Sequence, residues 1–481
     1  MISEESYDIV VVGAGTAGIP CAIHAAQGGA RVLLVEKDAR IGGTLHITGG
    51  HMAAGGTRRQ AEHGIEDSPE EHLADIHRIT QGTAREDLVE VVARRAPETI
   101  EWLQDRGFAF APETPRIVYG HEPYTKARTY YGKDEGLSVL EVLEAELRTV
   151  TQAHDLTLWT QAPVTELLTA DTGGSDAARV VGVSVLRGGT EVAVRAGSVV
   201  LATGGYGADP ELFQELEGVP LVSAASRTST GDGLYLGMAI GAGLQGEGTY
   251  LPSFGGLPDP QSPGRANWSD RQRLTSERAP WEIYVDRDGR RWVREDEESI
   301  DEKERALVGI PDQTFWTVFD DVALARATGT MEQMIVGKEP DQVRAVVDTR
   351  PGLHSADTLE ELARKAGIDP AGLQATVARY NGFVAEGEDP DFGRTHLPAP
   401  IACPPFYALR NHAITLVTFT GLDIGADFAV RDGQGRAIPG LYAVGEVIGA
   451  GATCGNTFCS GMLMTPALTF GRLLGEALAD R

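Results

Sequence analysis

The residues with the most definite chemistry are Gly13, Gly15 and Gly18, in the run Gly13-Ala14-Gly15-Thr16-Ala17-Gly18. An apolar run at 9–12 precedes them and reads as a buried strand. A helical stretch at 19–27 follows, then a second strand at 31–35 ending at Glu36-Lys37. In such a unit the first glycine allows the tight turn, the second lets backbone approach a pyrophosphate, and the third lets helix and strand pack closely. The helix N-terminus offers free amides and partial positive charge to the phosphates. An acid about 20 residues past the turn accepts from ribose hydroxyls, which is the place of Glu36. The pattern predicts a nucleotide site and does not by itself choose between FAD and NAD.

Two further stretches carry chemistry. The first, IGGTLHITGGHMAAGG at 41–56, gathers Gly42, Gly43, Gly49 and Gly50, with Thr44 and Thr48 between them. So many glycines let backbone approach a flat ligand, and the threonines offer hydroxyls to phosphate or ring atoms. His46 and His51 in this loop are expected to make ordinary polar contacts. The second, YGHEPYTKARTYY at 119–131, gathers four tyrosines with His121, Lys126 and Arg128. It reads either as a solvated connecting loop or as a source of a cation for an anionic substrate group and phenols for proton transfer.

The rest of the chain must position these groups. With 481 residues two domains are the natural expectation. A net charge of -27 argues against nucleic acid and anionic membrane surfaces as partners. No leader precedes the first strand and no apolar run is long enough to span a bilayer, so a cytoplasmic location is expected. Cys21, Cys403, Cys454 and Cys459 show no metal or redox spacing and read as packing residues. Helices are expected at 68–81, 85–106, 137–150, within 229–244, over 358–387 and at 464–478. Strands at 156–168, 180–186 and 191–194 suggest a small antiparallel layer with turns at Gly173-Gly174 and Gly188-Gly189. A strand at 198–206 runs into Ala202-Thr203-Gly204, a hairpin turns at Asp288-Gly289, and a last strand lies at 440–446. The acidic run 295–304 reads as a solvated helix face.

Several motifs in order carry a resemblance: the turn at 13–18, GGTLHITGG at 42–50, LATGGYG at 201–207, TGDG at 230–233, IPGLYAVGE at 438–446 and GRLLGEAL near the C-terminus. The chain resembles the flavoprotein family of fumarate reductases, succinate dehydrogenases and ketosteroid delta-one-dehydrogenases over nearly its whole length. The resemblance implies FAD and no metal. It implies an α/β fold in which a Rossmann-like FAD-binding domain (1–245 and 411–481) is interrupted by a smaller α+β capping domain (246–410). Substrate is held between the cap and the flavin ring. Asp232 and Gly445-Glu446 then lie near the flavin pyrophosphate and ribityl chain, Val164 beside the adenine, and the helix starting at Met462-Leu463 aims at the flavin pyrimidine.

The implied chemistry is oxidation or reduction of a carbon–carbon bond beside a carbonyl or carboxylate. The chain departs from the family at the reacting centre. Val417 stands where fumarate reductases carry a histidine, their loop arginine has no counterpart in 454–458, and their acid-donating arginine falls near Ile300 and Asp301. Phe458 and Ser299 stand where ketosteroid dehydrogenases use tyrosines. A dicarboxylate needs cations to neutralise it, so fumarate and succinate are not expected. The expected reaction is desaturation of a small cyclic ketone or keto acid. Candidate bases are Tyr130, Tyr131 and Tyr119, then Tyr250, with Arg128 or Arg278 as the neighbouring cation. Amides around Ser460 and Gly461 would hold the enolate. The alternative expectation for Arg128 is a bidentate grip on a substrate carboxylate. No haem or iron–sulfur cysteine pattern is present, which points to an external electron acceptor or oxygen. The alternatives are an ene reductase of an unsaturated acid or enone, and a non-catalytic flavin-binding subunit.

Overall fold

The computed structural model describes residues 5–170, 178–267 and 270–480; the turn expected at Gly173-Gly174 lies outside them. The first strand, β1 (Glu5–Val12), is followed by the helix α1 (Gly18–Gln27) and the strand β2 (Val32–Val35). Ile9 to Val12 and all of β2 are buried, the continuous apolar pattern of parallel strands covered on both faces. On one side β1 pairs in parallel with β2, and on the other with the strand Thr190–Leu201. Val12 lies opposite both Val35 and Leu201, and Leu201 lies opposite Ala443 of the strand Ala437–Ala443. Four strands therefore end level. Their carboxyl ends deliver Gly13, Glu36, Ala202 and Val444 to one edge, where open α/β sheets bind ligands.

The closing helix Met464–Ala479 packs on α1 through glycines. A Cβ at Gly471 would run into the Ala17 carbonyl and one at Gly475 into that of Cys21. Cys21 is buried there as a small packing residue.

A second sheet forms the cap. Its order is Ser253–Gly256, Phe406–Ile414, Thr314–Asp320, Ile283–Val285, with Leu353–Ala356 also on Phe406–Ile414. The boundary drawn at 410 falls inside the strand Phe406–Ile414, whose pairing continues to Ile414.

Four sequence expectations change in detail. The stretch 156–168 is two strands, Leu156–Trp159 in the parallel sheet and Val164–Ala170 in the antiparallel layer, broken at Gln161 with φ 52. Conversely, 191–194 and 198–201 form one strand, Thr190–Leu201, which pairs antiparallel with Arg179–Arg187 at its start and parallel with β1 to its end. The region 358–387 is two helices, Leu359–Ala366 and Pro370–Glu386, because Gly367 at φ 76 ends the first and Asp369 caps the second. The run 295–304 is not a solvated face: Glu295, Asp301, Lys303 and Glu304 are buried. Arg291 and Arg394 pair with Glu295, supplying charge partners that composition does not reveal. Among the described residues, no helix is long and apolar enough to cross a membrane.

Candidate active site

At the level strand ends, the three glycines of the turn meet three different demands. Gly13 has φ +103 and would drive a Cβ into the Ala202 carbonyl; at Gly18 a Cβ would collide with the Gly13 carbonyl. A Cβ at Gly15, by contrast, meets no protein atom within 4 Å. The protein itself makes no demand for glycine at 15, so that space is left for a ligand. The helix α1 begins after Thr16-Ala17 with no capping side chain and no acid in its first turn, leaving its amides for an anion.

The remaining cofactor candidates close around this turn. Glu36 accepts from the Ala14 amide at 2.9 Å and the Asp38 amide at 2.8 Å. Lys37 donates to the Thr230 hydroxyl and to Asp232, the latter at 2.8 Å. The second glycine loop folds over the first: the Gly42 amide bonds the Ala14 carbonyl at 2.8 Å, and a Cβ at Gly43 would lie 3.9 Å from the Gly15 Cα. Thr44 and Thr48 form a turn there, the Thr48 amide bonding the Thr44 carbonyl at 3.1 Å. A Cβ at Gly50 would lie 2.5 Å from the Glu135 carbonyl carbon, and one at Gly49 would face His51 at 3.8 Å. Val164 opens its strand just after Ala162, whose amide bonds the Glu36 carbonyl at 2.9 Å. Gly445 has φ +80 and lies against Ala17. Glu446 accepts from the Thr418 amide at 3.0 Å and hydroxyl at 3.1 Å, while burial pushes its carboxyl up. Beyond Gly204, Met462 and Leu463 lead directly into the closing helix. The buried Thr203 hydroxyl has no partner among the described residues. An orphaned hydroxyl, uncapped amides and the free space at Gly15 fit a dinucleotide with its pyrophosphate at this turn.

Beside the second glycine loop lies a packed row of rings. His121 stacks on Phe458 at 5.1 Å, Phe458 meets Phe419 edge-on at 5.4 Å, and Phe419 meets Tyr250 at 6.1 Å. Leu463 packs on the same cluster, joining it to the cofactor edge. Burial, with the nearby His51, pushes His121 down to about 4, and burial followed by Arg116 lowers His51. Both imidazoles are neutral near pH 7 and can donate or accept hydrogen bonds there.

Of the tyrosines named from sequence, only Tyr250 belongs to this row. Tyr130 is fully buried, bonds the Thr57 hydroxyl at 2.6 Å, and burial pushes its phenol further up. It is placed as a structural strut and not as a base. Arg128 is sealed between Asp67, bonded at 2.6 and 2.7 Å, and Asp75, so it has no free face for a substrate carboxylate or a phenolate. Arg278 is likewise held by Glu282 at 2.8 Å. Tyr131 packs on His51 at 5.2 Å but donates to Glu113 at 2.8 Å, which raises its phenol after burial has done so. Tyr119 is exposed. The Tyr250 phenol is raised by burial. Gly461 has φ +76 and would clash with Ala53, so its glycine is required by packing against the strand Met52–Ala53. His121 belonged to a stretch singled out in the sequence, but nothing local marked it as a partner of Phe458. Asp301 was lost among its acidic neighbours.

Fold and site together define a flavin-dependent oxidoreductase. Residues 8–463 match the family described as FAD binding domain, and the chain belongs to that family. It is 30% identical over 480 residues to a probable fumarate reductase of Shewanella frigidimarina, a match covering 99% of this chain and 75% of that protein. It is 27% identical over 558 residues to 4-oxocyclohexanecarboxylate 2-dehydrogenase of Sinomonas cyclohexanicum, covering 99% of this chain and 93% of that protein. Its fold matches 3-ketosteroid delta1-dehydrogenase from Sterolibacterium denitrificans with a TM-score of 0.78 at 23% identity, covering 99% of this chain and 100% of that one. The cofactor is FAD, and the chain is an FAD-dependent oxidoreductase acting on carbon–carbon double bonds and their saturated counterparts.

Proposed function

We propose that this enzyme introduces a carbon–carbon double bond beside the carbonyl of a small cyclic ketone or keto acid. The observation that carries the reading is the wall of Tyr250, Phe419, Phe458 and His121 beside the glycine loop. Ring faces and a neutral imidazole suit an alicyclic carbon skeleton with one carbonyl. Arg128, named for a substrate carboxylate, and Arg278, named as a cation beside a tyrosine, are committed to carboxylates of the chain itself. The similarity to a 4-oxocyclohexanecarboxylate dehydrogenase over 93% of that protein supports the same direction.

When bound, FAD supplies the hydride acceptor. The rings exclude water from the reacting carbons. His51 and His121, uncharged near pH 7, can hydrogen-bond the carbonyl without introducing a fixed charge. Electrons then leave to an external acceptor or oxygen. The reverse activity, an ene reductase of an unsaturated acid or enone, is the second reading, favoured by the 30% identity to a fumarate reductase.

Anaerobic titration of the FAD-loaded protein with 4-oxocyclohexanecarboxylate and cyclohexanone tests the direction. Bleaching of the oxidised flavin band is the expected result. No bleaching, with cyclohexenone reoxidising dithionite-reduced protein, would establish the reductase instead.

A further inference from the structure

The cap presents one helix, Ile300–Val308, to the loop 454–461. Arg305 on that helix donates to the Asn456 carbonyl at 2.8 Å. One turn earlier stands Asp301, 5% exposed. Its Oδ1 is sealed from solvent and has no hydrogen-bond partner among the described residues, while its Oδ2 lies 4.0 Å from Arg305. A buried carboxyl oxygen without a partner costs stability, and such groups are retained mainly where they have work to do.

Every element packed against Asp301 bears on its charge. From the loop 119–131 comes Glu122, which accepts a hydrogen bond from Ser299, the N-cap of the Asp301 helix. From the loop 454–461 come the Phe458 amide and the thiols of Cys454 and Cys459. Its own helix adds Glu302 and Arg305. Burial, then Glu122, favours the neutral acid; Arg305, the Phe458 amide and the helix N-terminus favour the anion. The balance pushes the carboxyl up to about 7. The same Phe458 that meets Asp301 through its backbone joins the row of rings with His121 and Phe419 through its side chain.

Resting on the desaturase reading above, we propose that Asp301 is the proton-transfer residue of the reaction. In the oxidative direction the C–H bond beside the carbonyl breaks. Its electron pair stays with the substrate as the enolate, and its proton forms the O–H of Asp301. In the reductive direction the same acid returns the proton to that carbon. A group poised near neutrality serves both directions, whereas the buried phenols, raised above their ordinary value, serve neither.

Infrared difference spectra of the FAD-loaded protein between about pH 6 and about pH 8 read the carboxyl directly. Wild type should show a buried carboxylic acid titrating near neutrality, absent in D301N and moved to lower pH in E122Q, since Glu122 raises it. With FAD content and dithionite reduction unchanged, D301N should slow flavin bleaching by 4-oxocyclohexanecarboxylate at least ~100-fold, the usual scale for losing a general acid–base group. D301E should recover part of that rate. If D301N matches wild type both in ketone bleaching and in reoxidation of reduced protein by cyclohexenone, or if the band survives in D301N, the assignment is overturned. If wild type is not bleached but its reoxidation by cyclohexenone depends on Asp301, the desaturase direction falls and the assignment stands.

Discussion

Gly15 and Gly18 look alike in sequence and make opposite predictions. At Gly18 an added methyl would collide with the rigid Gly13 carbonyl, so the turn or α1 must move. Overpacking of this kind costs about 1–3 kcal/mol of stability before any ligand is considered. At Gly15 the methyl meets no protein atom, and φ lies outside the region that excludes L-residues. G15A should therefore leave the apoprotein within ~1 kcal/mol of wild type, helped by reduced freedom of the unfolded chain. Its methyl occupies the space facing the pyrophosphate, and a loss of at least ~100-fold in FAD affinity, about 2.7 kcal/mol, is expected. The assay is thermal or urea unfolding of apoprotein with and without FAD. At an FAD concentration of about 100 times the wild-type Kd, wild type gains about 2.7 kcal/mol from the ligand. G15A, then at or below its own Kd, gains about 0.4 kcal/mol or less. G18A should start lower without FAD. If G15A binds FAD within about threefold of wild type, or is destabilised in the apo state as G18A is, the reading of the turn is refuted.

Other outcomes follow from the site. Y130F removes the 2.6 Å bond to Thr57 and should cost about 1 kcal/mol of stability while leaving turnover intact, checked by paired melts and steady-state rates. R128M leaves Asp67 buried without its cation and Asp75 with Arg78 alone, and should cost about 3–5 kcal/mol in urea unfolding. Burial alone would raise both carboxyls, but Arg128 chiefly holds Asp67 below its usual value and Thr125 chiefly holds Asp75 there. Their folded values being depressed, the stability they contribute is present above the ordinary value of 3.8 and is lost as pH falls through the folded values; urea midpoints measured from about pH 5 to about pH 3 should show that loss, starting at higher pH in R128M. A thiol reagent should label the native protein at Cys403 alone, the other three cysteines being buried, and mass mapping of a second labelled site would contradict this.

What the sequence made legible was whatever depends on neighbours in the chain. The turn 13–18 works through its own backbone geometry, so glycine spacing and flanking apolar runs disclosed it. Ser68 and Thr358 cap helices three residues away, and those starts were equally readable, whereas the start capped by Asp369 was merged into one helix over 358–387. Tyr130 and Arg128 depend on Thr57, Asp67 and Asp75, which lie 53 to 73 positions distant, and nothing local separates a catalytic tyrosine from a strut. The run 295–304 misled for the same reason. Its composition belongs on a surface, but Arg394 reaches back to Glu295 and the cap buries the charges.

The strand Phe406–Ile414 has a mechanical consequence. Ile414 still pairs with Ser253 in the cap, while Thr415 already bonds Val222 and Ala224, and Thr418 already serves Glu446. There is no slack on this crossing. On the other crossing stand Gly246 and Gly248, with φ 80 and 73, just before the cap sheet begins. The Gly246 carbonyl accepts from the Thr249 amide at 3.1 Å and hydroxyl at 2.6 Å, so this crossing is tied down as well. A shift of the second sheet is passed along 414–418 to Thr418, the threonine bonded to the buried Glu446 carboxyl.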